Sequence, residues 1–182
     1  MIQEGPGEDG GLNIQKVSKE GHGHVDAVTE SEFAHVSRVH KTSFAFRSQF
    51  ETTGASQEFF SFQNDESDTR FTIWTVHLRS VLANTVTLGL KTSGTPAGTD
   101  VVGVNLHFGS GVTKDYTCKG NAEVTGTVAG TTIIDPGLVA AAADRILPME
   151  GGMSLGNGEC IFASSLAATT VTITLVGYWH VR

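Results

Sequence analysis

Residues 169–181 read TTVTITLVGYWHV, and no other stretch restricts the fold as strongly. Val171, Ile173, Leu175, Gly177, Trp179 and Val181 share one parity; Thr170, Thr172, Thr174, Val176, Tyr178 and His180 share the other. A helix would scatter those apolar groups around its axis, whereas a strand places them on one face. The residues are mostly β-branched or aromatic and include no proline, as a strand prefers. At 13 residues the run exceeds the usual strand of about 5–6. It is predicted to cross a whole sheet as the central strand of a β-sandwich.

The rest of the chain from Thr42 follows the same period. Phe44 and Phe46 alternate in 43–50, and EFFSF carries Phe60 and Phe62 on one face. In 69–80, Trp74, Val76 and Leu78 lie on one parity with Phe71 and Ile73 on the other, so the start of this strand is predicted to be covered on both sides. Further strands are expected at 86–90, at Val102-Val104-Leu106-Phe108, after a Gly109–Gly111 hairpin at 112–118, and at 145–149. Residues 122–128 and 131–134 read as edge strands. SGTPAGTD (93–100), Lys119-Gly120-Asn121 and Gly151-Gly152 read as turns, and DPGLVAAAAD (135–144) as a helical turn or two. Nine or ten short strands without intervening helices predict an all-β antiparallel sandwich over residues 42–182.

Residues 1–41 differ. Glycines at 5, 7, 10, 11, 21 and 23 interrupt any regular element, and apolar residues are sparse. The segment is expected to be an extended arm, either disordered or ordered by a partner. LNIQKV (12–17), with Leu12, Ile14 and Val17, could add a strand to a neighbour's sheet. Thr29 and Glu32 have capping-box spacing, and Val28 with Phe33 matches a hydrophobic staple. A helix is therefore predicted over 30–40, with Phe33, Val36 and Val39 along one face. That stripe either covers an end of the sandwich or meets a partner subunit.

The net charge is −7, of which −5 falls on residues 1–32. An acidic chain with no basic face is not expected to bind nucleic acid directly. The start lacks the basic and apolar regions of a secretory signal, and no apolar run reaches the roughly 20 residues that cross a bilayer. Cys118 and Cys160 could pair, or remain as two partly buried thiols. His22 and His24 alternate as metal ligands can, but no third ligand lies near them. NDESD (64–68) lacks the spacing of a calcium loop. No GxxxxGK[ST], HExxH or CxxC motif occurs. His77, His107 and His180 sit on predicted outward faces. Neither a catalytic set nor a cofactor is expected.

The run RILPMEGGMSLGNGECIFASS, followed by a threonine-rich break and TVTITLVGYWHV, resembles jelly-roll virion structural proteins of tailed bacteriophages, of the capsid decoration (cement) or head-fibre type. The likeness covers residues 145–181, and 69–108 less closely; GHVDAVTESEF is similar to the N-terminal region of such proteins. It implies an eight-stranded jelly roll that assembles as a homo-oligomer, often a trimer, on a virion surface after synthesis in the host cytoplasm. The implied partner is the major capsid protein, with no enzyme activity, nucleic-acid contact or membrane contact. Residues 1–41 would dock through Leu12, Ile14, Val17, Val25, Phe33, Val36 and Val39. The alternative is a receptor- or glycan-binding module of a tail or head fibre, with Tyr178 and Tyr116 as stacking candidates. A cupin-type enzyme would need an HxH-plus-Glu pattern that the β region lacks.

Overall fold

A computed structural model of the chain describes residues 2–6, 12–17, 23–25, 32–54, 56–125 and 128–181. The chain forms two compact units, Met1–Glu32 and Phe33–Arg182. The first holds an antiparallel three-stranded sheet, β1 (Ile2–Pro6), β2 (Leu12–Val17) and β3 (Gly23–Val25), in that spatial order. The arm thus has regular elements of its own. β2, the expected strand donor, is the middle strand, with β1 and β3 along its two edges. The side chains of Leu12, Ile14, Val17 and Val25, the His22–His24 pair and the Thr29 capping box lie outside the described residues.

The second unit begins inside α1 (Glu32–His35), which passes directly into a π-helical turn, Val36–His40. Lys41 ends it in the left-handed conformation (φ 59°), its N–H bonded to the Val36 carbonyl at 2.9 Å. Eleven strands follow: β4 (Ser43–Glu51), β5 (Gln57–Asn64), β6 (Thr69–Ser80), β7 (Asn84–Gly94), β8 (Ala97–Asp100) and β9 (Val104–Asn105), then β10 (Tyr116–Thr125), β11 (Val128–Val139), β12 (Asp144–Leu155), β13 (Cys160–Ser165) and β14 (Thr170–Val181). One sheet runs β12-β6-β14-β4-β9 and the other β11-β7-β13-β5-β10-β8, and every pairing within them is antiparallel. Without β8, β9 and β10, the order is that of an eight-stranded jelly roll: β12-β6-β14-β4 facing β11-β7-β13-β5. β14 lies between β6 and β4, as its length and pattern predict.

The interior follows from strand parity. Val171, Ile173, Leu175 and Trp179 of β14 are buried, as are Phe44 and Phe46 of β4 and Phe60 and Phe62 of β5. Rings from both sheets interlock around Trp179, with centroids 5.1 Å to Phe44, 4.6 Å to Phe71, and 4.4 Å between Phe62 and Phe71. The mixed parity of β6 is resolved by a bulge. Val176 pairs with Thr75 but Gly177 pairs with Ile73, leaving Trp74 as the extra residue. Phe71 and Ile73 therefore point inward before it, and Val76 and Leu78 after it. Trp74 is turned to the outer face, where Phe33 stacks on it at 5.1 Å. Gly177 receives this irregularity: the Phe71 ring and the Thr72 carbonyl occupy the space a Cβ would need.

Several local expectations are corrected. DPGLVAAAAD forms no helix; Asp135–Val139 belongs to β11 and pairs with β7, so sheet pairing overrides alanine's preference. Pro136 is tolerated because β11 is an edge strand. Residues 93–94 and 97–100 lie in strands, as does Lys119-Gly120-Asn121, whose Asn121 (φ 54°) accompanies a register shift in β10. Gly151-Gly152 forms part of a bulge inside β12 rather than a turn. Trp74 is half-buried on the outer face rather than in the core, and Tyr178, expected outside, is 1% exposed because Phe33 covers it at 5.9 Å.

Substituting Gly177→Ala should destabilise the protein by about 1–3 kcal/mol, the usual cost of overpacking. Urea unfolding followed by tryptophan fluorescence measures it, and an unchanged midpoint would show that β6 and β14 do not meet as described.

Candidate docking surface

The connection from β7 to β11 is far longer than the few residues a compact fold usually needs. It builds outward on one side of the jelly roll. β10 pairs with β5 and β8 with β10, extending one sheet; β9 pairs with β4, extending the other. Both sheet edges on that side of the jelly roll are thereby covered.

Residues 101–110 are fixed by specific contacts. Val101 is 5% exposed and its N–H donates to the Cys118 carbonyl at 2.9 Å. Gly103 lies against the Phe46 ring, where any side chain would collide, and its N–H donates to the Tyr116 hydroxyl at 2.9 Å. The Asn105 amide donates to the Lys41 carbonyl at 2.9 Å and to Ser110 Oγ at 2.8 Å, while its Oδ1 accepts the His107 N–H at 2.8 Å. Leu106 N–H reaches the Ser43 carbonyl at 2.9 Å.

These contacts decide which parity faces the protein. Apart from Val101, the inward positions are Gly103, Asn105 and His107. The outward ones are Val102, Val104, Leu106 and Phe108, exposed by 79%, 51%, 37% and 85%. The alternation expected of a core strand is present, but only Val104–Asn105 is strand and the apolar side faces solvent. The expected strand at 112–118 likewise begins only at Tyr116. Beside this loop opens a cleft of about 630 Å³ between residues 100–105 and 112–119, with Phe44 and Cys118 in its walls. Two lysines on its lining are paired, Lys119 to Asp100 at 2.5 Å and Lys114 to Glu66 at 3.6 Å. Charge is balanced across the cleft, so it presents no strong field to a charged ligand.

The groups that could do chemistry are occupied otherwise. Both cysteines are free and buried, on strands that flank β5, a separation of two strand spacings or roughly 9–10 Å and too wide for a disulfide. Burial, with smaller contributions from Cys160 and Asp100, pushes the Cys118 thiol well above its usual range. Burial pushes Cys160 up to about 11, against the opposing hydrogen bond from Ser61 at 2.9 Å. Neither is a ready thiolate at neutral pH. Burial also raises the Glu58 carboxyl, opposed by Lys91, whose ammonium lies 2.6 and 2.8 Å from its oxygens and 4.6 Å from the centre of the Phe162 ring. GMSLG (152–156) has the spacing of a nucleophile elbow, but Ser154 lies inside β12 with its hydroxyl bonded to Thr72 at 2.9 Å, not on a strand-to-helix turn. Among the described residues no three His, Cys, Asp or Glu side chains gather as a metal site would. No helix of the described residues is long and apolar enough to cross a membrane.

Of the anticipated partner-facing residues, Phe33 and Val36 pack on the protein's own sandwich, and Val39 is 48% exposed. Tyr116 belongs to the aromatic cluster, 4.8 Å from Phe46. Phe108, expected in an alternating strand with Val102, Val104 and Leu106, is the most exposed of the large apolar side chains described. The run itself gave no signal of this: an apolar face opposite Gly103, Asn105 and His107 is also the pattern of a half-buried core strand.

The geometry defines a jelly-roll β-sandwich that carries an exposed apolar loop on one flank. The chain matches no family model, no curated protein and no solved structure.

Because folding raises the Cys160 pKa from 9.0 to about 11, the folded state favours the protonated thiol. That contribution is complete below pH 9 and lost as pH rises through 11. Cys160→Ala should therefore lose less stability than the parent between these limits, by on the order of 2–3 kcal/mol in urea titrations. Parallel losses in the two proteins would contradict the burial of this thiol.

Proposed function

We propose that the chain is a non-enzymatic structural protein of a tailed-phage virion, a decoration protein that binds the outside of the capsid shell and stabilises it. The observation that carries this reading is the flank loop, where four large apolar side chains are held in solvent by a hydrogen-bonded backbone. Such a surface loses little conformational freedom on docking, and its apolar area favours a complementary protein wall. The jelly-roll order and the virion-protein resemblance of residues 145–181 support the same reading. In it the Met1–Glu32 unit supplies a second contact through Leu12, Ile14, Val17 and Val25. Copies spread over a symmetric shell would add avidity. The glycan-binding alternative loses its stacking platform, since Tyr178 and Tyr116 are both engaged within the fold.

Co-sedimentation with purified phage heads tests this. The full chain should saturate the heads, and Val102→Asp combined with Phe108→Asp should bind about tenfold more weakly or worse. Both positions are solvent-exposed, so thermal stability should hardly change. Full occupancy by the double variant would remove the flank loop from the docking surface, and failure of the parent chain to bind heads would overturn the proposal.

A further inference from the structure

Four strands end the two large sheets: β11 and β8 in one, β12 and β9 in the other. An end strand exposes backbone N–H and C=O groups that pair readily with any extended chain, so such strands are usually blunted. β11 carries Pro136 and a register shift between Ile133 and Asp135, and β12 carries Pro148 and a shift between Pro148 and Met153. β8 follows Pro96 and meets β10 through a register shift. β9 has neither device. Residues 101–113, which include it, contain no proline and no Asp, Glu, Lys or Arg.

The pairing of β9 with β4 fixes which of its backbone groups are open. Leu106 N–H donates to the Ser43 carbonyl, while Asn105 lies opposite Phe44 and Val104 opposite Ala45. Residues that exchange bonds alternate along an antiparallel ladder. Val104 and Leu106 therefore face β4, and the N–H and C=O of Asn105 point away from it. No described strand lies beyond β9. The cleft of about 630 Å³ opens on that side, since Gly103 and Asn105 line it and Val104 does not. The Asn105 side chain is anchored on the Lys41 carbonyl and Ser110 Oγ, which holds its backbone in place. The rest of the lining restricts what fits. Lys119 pairs with Asp100 and Lys114 with Glu66, so these cations are used within the protein. Phe44, Val101 and Val112 add apolar walls. The cleft thus offers backbone groups at strand spacing beside apolar surface, and the complement of such a strip is a second backbone.

We propose that this cleft takes an extended, uncharged segment of a partner polypeptide, which adds as a strand beside β9. The inference rests on the docking reading above for the partner's identity, the shell protein, and names how that partner is held. A charged segment is disfavoured, because the charges on the cleft already have partners and an added one would stay unpaired. β9 is two residues long, so strand pairing supplies a few bonds and a fixed register. The outward side chains of the flank loop supply the apolar contact next to it.

An array of short overlapping peptides covering the shell protein, probed with the full chain, tests this. One stretch of uncharged sequence should be captured. Thr113→Trp, an exposed position on the cleft wall, should weaken that capture about tenfold or more, while Leu82→Trp, exposed at the opposite end of the sandwich, should leave it unchanged. Methylating the captured peptide's backbone nitrogens one at a time gives a readout that needs no variant of the protein. Binding should be lost at alternate positions, those whose N–H points at β9, and kept at the positions between. Heads bound with no peptide captured would overturn this proposal and leave the docking reading standing. A peptide captured in this pattern without binding to heads would do the reverse, and neither bound would overturn both. Capture that Thr113→Trp leaves intact, or equal loss at every methylated nitrogen, would also overturn the strand at β9.

Discussion

The Trp179 indole must bury its N–H, and the packing of the sandwich depends on how that N–H is satisfied. It donates to Asn64 Oδ1 at 2.8 Å, within a ring of aromatic side chains. Asn64 is itself fully buried, and its amide donates to the carbonyls of Thr69 and Leu155, each at 3.0 Å. One side chain thereby joins the end of β5 to β6, β12 and β14 at the corner where the chain passes between sheets. A buried polar group without such partners would cost about 1–3 kcal/mol. Here each donor and acceptor is used, so the network specifies one arrangement of the two layers.

The same corner explains the short helical segment. The bulge at Trp74 turns an indole out of the core, and Phe33 covers it together with Tyr178. The helix is thus an outer cover for an irregularity in β6. A segment of one α-turn and one π-turn has little stability alone and takes its stability from this contact.

The strands that pack on both sides of the core were legible because period two and β-branching act together there. The closing strand, the aromatic pairs of β4 and β5, and the sandwich class all follow from that pattern. Other features depend on neighbours distant in sequence. The parity of Tyr178 places it outward correctly, but only folding brings Phe33 over it. Alternation at 102–108 shows that one face is apolar without showing which face meets protein. Alanines at 140–143 favour a helix in isolation, whereas the preceding residues are committed to pairing with β7. The candidate surfaces were therefore the least legible part, since exposure of an apolar residue is a property of the whole fold.

The flank loop and the turns at 81–83, 140–143 and 166–169 share one design: hydrogen bonds on the protein side hold the backbone while apolar side chains stay in solvent. Display of apolar side chains in this way requires that these segments be as rigid as the strands they join, and the proposed docking of the flank loop depends on it. Residue-resolved amide hydrogen exchange on the full chain measures this directly. Rigid display predicts slow exchange at Val81, Leu82, Ala142, Leu166 and Ala167, and at Val101, Gly103 and Leu106, alongside the protected amides of β14. Exchange at the rate of an unstructured peptide in those turns, with β14 still protected, would contradict it.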